Sequence, residues 1–245
     1  MDYVFAPTEH VVLPVAGRSD VFPVQRVFCI GRNYRWQANE SVSQSMPAWF
    51  LKPSQAVVPA QGRLAYPSET SDFCHEIELV VALGRGGCDL DPARIEAEHV
   101  WGYAVGMDLT RRDLQQQAKA VGGPWAPSKA FDQSAPCTPV VPVDVCGHPR
   151  HGAIWLSVNG QERQRSDVGE LLWPVSELVA MLSRAVTLLP GDLVFTGTPA
   201  GVGPLHPGDV VRGGINGIGE FSVTVEPAMQ SGEHRVSNTF EEMKL

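Results

Sequence analysis

Glycine and proline interrupt this chain so often that little room is left for long helices. It carries 24 Gly and 20 Pro in 245 residues. Pro fixes its φ angle and lacks an N–H, and Gly weakens regular elements while favouring turns. Such punctuation favours many short strands joined by turns. Strand-like runs fall at 26–30, 48–51, 76–83, 100–107, 153–158, 193–196, 209–211 and 221–225. Asn159-Gly160 separates 153–158 from the polar run 161–165, the signature of a two-residue hairpin. Three helices are expected. Asp91 and Pro92 supply an N-cap and first residue for a helix to about Glu98. Thr110-x-x-Asp113 reads as a capping-box variant opening a helix that Gly122 closes, with Leu114, Ala118 and Val121 as its apolar face. A third, over 176–185, places Leu178, Val179, Leu182 and Ala185 on one face.

Residues 1–24 read as an irregular segment broken by Pro7, Pro14 and Pro23, and residues 229–245 as a polar tail. The Pro- and Gly-rich stretch 136–152 separates no change of composition, so 25–228 reads as one domain. A chain of this length buries roughly 70–75% of its unfolded surface and needs no staple. Its formal net charge of −8 disfavours a nucleic-acid partner. The longest aliphatic run, 79–83, falls far short of the ~20 residues that span a bilayer. No basic region precedes an apolar segment at the N-terminus, so a secretory signal is not expected. The 5 cysteines are odd in number and none forms a C-x-x-C pair, which fits a reduced cytoplasmic enzyme.

Several familiar motifs fail. His75-Glu76-Ile77-Glu78 opens like a zincin helix, but Leu79 stands where the second His belongs. There is no G-x-S-x-G elbow and no phosphate-binding glycine loop. Gly213, Gly214, Gly217 and Gly219 lack a strand–helix context and read as a hairpin or bulge. What remains is acidic. In a strand, Glu76 and Glu78 share one face while Ile77 and Leu79 point into packing. The pair fits either a solvated strand face or a half-buried site in which two carboxylates need a cation. Val80 and the apolar run after it favour the second arrangement, and Mg²⁺ takes such oxygen ligands. The strand-like run 100–107 delivers a third carboxylate, Asp108. Asp108, Arg112 and Gln115 then recur at i, i+4 and i+7, a polar stripe that is either plain surface or the wall of an anion pocket. Lys129 is a second candidate cation.

These residues sit in a longer pattern. Cys29-Ile-Gly-Arg-Asn-Tyr34, Phe50-Leu-Lys-Pro53, His75-Glu-Ile-Glu-Leu79, the run from Gly102 to Gln115, Lys129-Ala-Phe-Asp132, Val158-Asn-Gly-Gln-Glu-Arg-Gln164 and the run from Gly191 to Gly203 resemble the fumarylacetoacetate hydrolase family, in its order. Within that family the chain looks most like the fumarylpyruvate (acylpyruvate) hydrolases of gentisate-type aromatic degradation. The resemblance implies an α+β, mostly β fold: a mixed β-roll of the family's C-terminal-domain type, with peripheral helices. It also implies a homodimer and a bound Mg²⁺ or Mn²⁺. By the same resemblance Glu76, Glu78 and Asp108 hold the metal. Arg112, Gln115, Lys129 and Thr198 face the oxo-acid end of a small substrate, and Arg32 sits near a lid at 35–46.

One position departs from the family. A histidine normally follows Gly-x-Asn-Tyr by three residues, with a glutamate three further on, as a water-activating dyad. Here Glu40 keeps the glutamate, but Gln37 replaces the histidine, and no histidine lies between His10 and His75. A carboxamide does not titrate near neutral pH. The expected activity is metal-dependent hydrolysis of an acylpyruvate, with either Glu40, through Gln37, or a metal-bound hydroxide activating water and Lys129 assisting the leaving enolate. Two alternatives follow from Gln37. One is an oxaloacetate-type decarboxylase or tautomerase, which needs no attacking water; the other is a non-catalytic protein that binds oxo-diacids.

Overall fold

The apolar run around Glu78 forms the strand Ile77–Leu83, buried along its whole length. The computed structural model describes residues 3–6, 9–35 and 47–228, and it shows why both strand faces are apolar. Ile77, Leu79, Val81 and Leu83 enter one core with Val105, Met107, Leu156, Leu178 and Val211. Val80 and Ala82 enter a second core with Leu13, Val27, Cys29, Ala104 and Phe195. Glu78 leaves the strand on the Val80 face, so its carboxylate is buried by sequence parity alone.

This strand lies inside an eight-stranded sheet ordered Ala48–Lys52, Val27–Gly31, Leu193–Phe195, Ile77–Leu83, Val100–Met107, Ala135–Cys137 and Val57–Pro59, with Val141–Pro142 also on Val100–Met107. A five-stranded sheet, Gln161–Asp167, Ala153–Val158, Val210–Ile215, Gly219–Glu226 and Gln61–Ala65, adds Ile154, Leu156, Phe221 and Val223 to the first core. Parallel pairs join Leu193–Phe195 to Val27–Gly31, Ala135–Cys137 to Val57–Pro59 and Gly219–Glu226 to Gln61–Ala65, while antiparallel pairs make up the rest of both sheets. The result is a curled, mixed, mostly β fold with peripheral helices, as expected.

Local signals succeed where the chemistry is local. Asn159 and Gly160 take φ 52° and 77°, the doubly left-handed pair of a tight hairpin. Asp91 accepts from Ala93 N and caps Pro92–Glu98. Gly122, at φ 65°, ends Arg112–Val121. The glycine cluster forms the Val210–Ile215/Gly219–Glu226 hairpin.

Other expectations are corrected. The first 24 residues are not wholly irregular: Val12–Pro14 pairs with Val21–Pro23, because Leu13 and Phe22 seal the second core. The stretch 136–152 contributes Val141–Pro142 and the short helix Val143–Cys146. Ala185 is exposed, and Val175–Ala185 instead buries Ala180, Met181 and Ser183 alongside Leu178, Val179 and Leu182. Thr110 is not an N-cap. It pairs with Cys74 in a strand, and its hydroxyl lies 3.2 Å from Glu76 Oε1. The helix begins at Arg112, and Asp113 turns away to accept from Thr70 Oγ1 at 2.6 Å. The helix also faces opposite to its apolar stripe: Gln115 is its one buried residue and Val121 is 82% exposed.

Candidate metal centre

Antiparallel register assembles the acids. Ile77 pairs with Met107 and Glu78 with Gly106, and Asp108 N donates to Glu76 O at 2.8 Å. Asp108, one step beyond the strand end, therefore lies beside Glu76, with Glu78 two residues along on the same face. Ligand oxygens of Glu76, Glu78 and Asp108 all lie within 4.8 Å of one another, and all three residues are buried. Gly106, paired with Glu78, is closely packed: a Cβ there would come within 2.6 Å of Val80 and Phe195.

Three cations oppose the three acids. Lys129 Nζ bridges Glu76 Oε2 at 2.9 Å and Asp108 Oδ2 at 2.7 Å. Lys52 Nζ faces Asp108 Oδ1 at 2.9 Å, and Arg112 Nη2 reaches Glu76 Oε1 at 2.8 Å. Burial alone lowers the proton affinity of the Lys129 ammonium; its contacts with Asp108 and Glu76 reverse the sign and hold it charged. Burial works against the Asp108 carboxylate too, but Lys129 and Lys52 keep its pKa low. Among the described residues Glu78 receives one donor, Gly197 N at 2.7 Å. Burial, then the charges of Asp108 and Glu76, push its carboxyl well above the usual range. Gly197 can make this contact because it sits at φ 104° with Asn33 packed where a side chain would project.

The cluster fits a hard divalent ion. All its donors are carboxylate oxygens, the set that suits Mg²⁺ or Mn²⁺. Buried Asp108 Oδ1 has an ion pair with Lys52 but, among the described residues, no aligned hydrogen-bond donor. An ammonium already bridges two of the three acids, so a positive centre is accommodated there.

The cluster lines a cavity of about 520 Å³ that also takes in Arg32, Phe50, Arg112, Gln115, Lys129 and Thr198. Every substrate-facing residue expected from sequence is thus brought to one cavity. Thr198 is held tightly: its hydroxyl donates to Ile77 O and accepts from Gln164 Nε2, both at 2.8 Å. Gln37 and Glu40, with the rest of 36–46, lie outside the described residues. Sequence reasoning assigned no role to Lys52 or Gln164. A lysine inside Trp-Phe-Leu-Lys-Pro, an apolar strand, was the available signal for Lys52, since a buried ammonium needs an acid. Gln164 gave no such signal. It is fully buried, and it ties His75 and Ile77 N to Thr198 and Pro199 O.

The sequence matches the family described as fumarylacetoacetate (FAA) hydrolase C-terminal over residues 26–226. A fumarylpyruvate hydrolase from a Ralstonia species is 42% identical over 190 residues, covering 78% of this chain and 97% of that protein. A mitochondrial oxaloacetate tautomerase from Homo sapiens is 35% identical over 204 residues, covering 82% of this chain and 92% of that protein. Among solved structures, the fumarylpyruvate hydrolase from Pseudomonas aeruginosa in complex with Mn²⁺ and pyruvate is 50% identical with a TM-score of 0.88, covering 92% of this chain and 100% of that chain. A match that runs through both large sheets and takes in all three clustered acids makes this chain a member of the fumarylacetoacetate hydrolase family.

Proposed function

We propose that the chain is a divalent-metal-dependent hydrolase that cleaves the C–C bond of an acylpyruvate, with fumarylpyruvate yielding fumarate and pyruvate. The carrying observation is the buried cluster of Glu76, Glu78 and Asp108, ringed by Lys129, Lys52 and Arg112 at the wall of one cavity. A metal held by the three acids would supply Lewis acidity toward the 2-oxo acid. The chain's own residues do the rest. Arg112 offers a planar pair of donors to a carboxylate, and Gln115 fixes the guanidinium through a 2.6 Å contact. Water adds to the distal carbonyl, the bond to the pyruvate methylene breaks, and the departing enolate gathers negative charge. Lys129, kept protonated, lies where it can offset that charge. Water activation is assigned to Glu40, acting through Gln37.

The assignment extends to a Mg²⁺ cofactor, a homodimer, a cytoplasmic location and a single catalytic domain at 25–228, flanked by an N-terminal segment at 1–24 and a tail at 229–245. The Mn²⁺ and pyruvate of the Pseudomonas structure support a hard-metal, oxo-acid site, and the family match over 26–226 supports the domain limits. Among the described residues no helix is long and apolar enough to cross a membrane. A second reading, an oxaloacetate tautomerase or decarboxylase, draws on Gln37 and on the similarity to the human tautomerase.

Mn²⁺-loaded protein incubated separately with fumarylpyruvate and oxaloacetate, with products followed by NMR, separates the two. Fumarate and pyruvate in equal amounts support the hydrolase; turnover of oxaloacetate alone supports the second reading. Gln37→His should raise acylpyruvate hydrolysis, by up to about 10²–10⁴ if Glu40 orients the imidazole. An unchanged rate would show that Gln37 does not limit the chemistry.

A further inference from the structure

The same cavity carries a second cationic group that the metal cluster does not use. Lys119 and Arg32 both line it. Among the described residues neither forms an ion pair with an acid. Asp72, the remaining acid of the lining, is engaged instead by Cys74 Sγ at 3.3 Å. Lys119 Nζ rests 5.2 Å over the Trp125 ring and 3.4 Å from Gln115 Oε1, an oxygen already taken by Arg112 at 2.6 Å. Trp125 fills the space beside Gly31, so one ring connects the helix Arg112–Val121 to the corner that bears Arg32.

That corner is built at a cost. Arg32 holds φ 61°, a left-handed conformation that a side chain disfavours. Asn33, fully buried, clamps it in place. Its Nδ2 donates to Thr196 O at 2.8 Å and Trp173 O at 3.1 Å, and its Oδ1 accepts from Trp173 N at 2.8 Å. Non-glycine strain of this kind clusters at ligand sites.

We propose that Lys119 and Arg32 form a carboxylate subsite at the cavity mouth that selects 2-oxo acids carrying a second, distal carboxylate. The inference rests on the reading above, in which the oxo-acid end lies at Glu76, Glu78 and Asp108. Arg112 contacts Glu76, and Lys119 Nζ stands beyond it along the cavity wall, 3.4 Å from the Gln115 Oε1 that Arg112 holds at 2.6 Å. A substrate with several carbons between its acids can therefore meet both ends. Burial, then the charges of Arg112 and Arg32, make Lys119 a poorer home for its proton. Positive charge gathered without an acid, in a chain of net charge −8, is relieved when an anion binds.

Calorimetry on the Mn²⁺-loaded protein tests this with two acids of equal carbon count, 2-oxoheptanedioate and 2-oxoheptanoate, which differ only in the distal carboxylate. The parent should bind the diacid about 10- to 100-fold more tightly, the range of a charge-assisted contact. Lys119→Met should bring that ratio close to one, Arg32→Met should reduce it, and Lys119→Arg should retain most of it. A parent without the preference overturns the subsite. So does a Lys119→Met variant that weakens both acids equally, since the lysine would then act on the oxo-acid end through Gln115. Neither acid has a 4-oxo group to cleave, so the ratio is read independently of hydrolysis. Failure to release pyruvate from fumarylpyruvate would count against the hydrolase reading alone.

Discussion

Glu78 is the residue whose chemistry most depends on what the cluster holds. Its carboxyl is pushed well above the usual range by burial and by neighbouring acids. A group with a raised folded pKa stabilises the fold fully below its unfolded pKa, and that stabilisation is lost as pH rises through the folded value. Metal-free protein should therefore lose stability through Glu78 as pH climbs above the ordinary carboxylate range. A divalent ion displaces the proton and reverses the trend. The rise in Tm on adding excess Mn²⁺ should be larger at about pH 8 than at about pH 5.5, read by scanning calorimetry. An equal shift at both would remove Glu78 from the ligand set. At this scale the sequence was legible wherever parity or a motif marked the residue, as for Glu76, Glu78 and Asp108. Lys52 and Gln164 escaped because their partners come from distant strands and no local pattern announces them.

At the scale of elements, strand pairing sets the site's dimensions. Gly106 faces Glu78 across the ladder, and any side chain there runs into Val80 and Phe195. Gly106→Ala should destabilise the protein by about 1–3 kcal/mol through overpacking. Urea unfolding measures this, and stability equal to the parent would mean that Phe195 and Val80 yield. The strand Val100–Met107 was read from sequence with its observed bounds because it carries no charged residue and is buried at every position except the half-buried Trp101. For the helix Arg112–Val121 the sequence left the polar stripe open, as plain surface or as the wall of an anion pocket, since an apolar stripe normally turns inward. Here Arg112 and Gln115 face the cavity while Val121 is left outside, so the demand of the site overrides the packing pattern. Thr110 failed as a cap for a related reason. Its hydroxyl finds Glu76, a partner no nearby residue reveals.

Across the whole molecule the metal ligands stand where the two cores meet. Ile77–Leu83 contributes alternate residues to both cores and also carries Glu78. Loading the cluster should therefore move the entire unfolding transition, with near-UV and far-UV circular dichroism shifting together. A stabilisation of about 2.7 kcal/mol is expected at a hundredfold excess over Kd. Separate transitions by the two probes would show that the cores unfold independently. Arg32 has a different bearing on the molecule as a whole. Left-handed backbone costs a side chain about 1–2 kcal/mol, whereas glycine in its place adds only about 0.4–1 kcal/mol of unfolded-chain freedom. Arg32→Gly should thus melt at or above the parent temperature while discriminating less sharply between diacid and monoacid; a clear fall in Tm would mean that the arginine side chain itself supports the fold. A thermostability screen scored on heat alone would favour that exchange, and successive rounds of it would yield hardier proteins that can no longer tell one oxo acid from another.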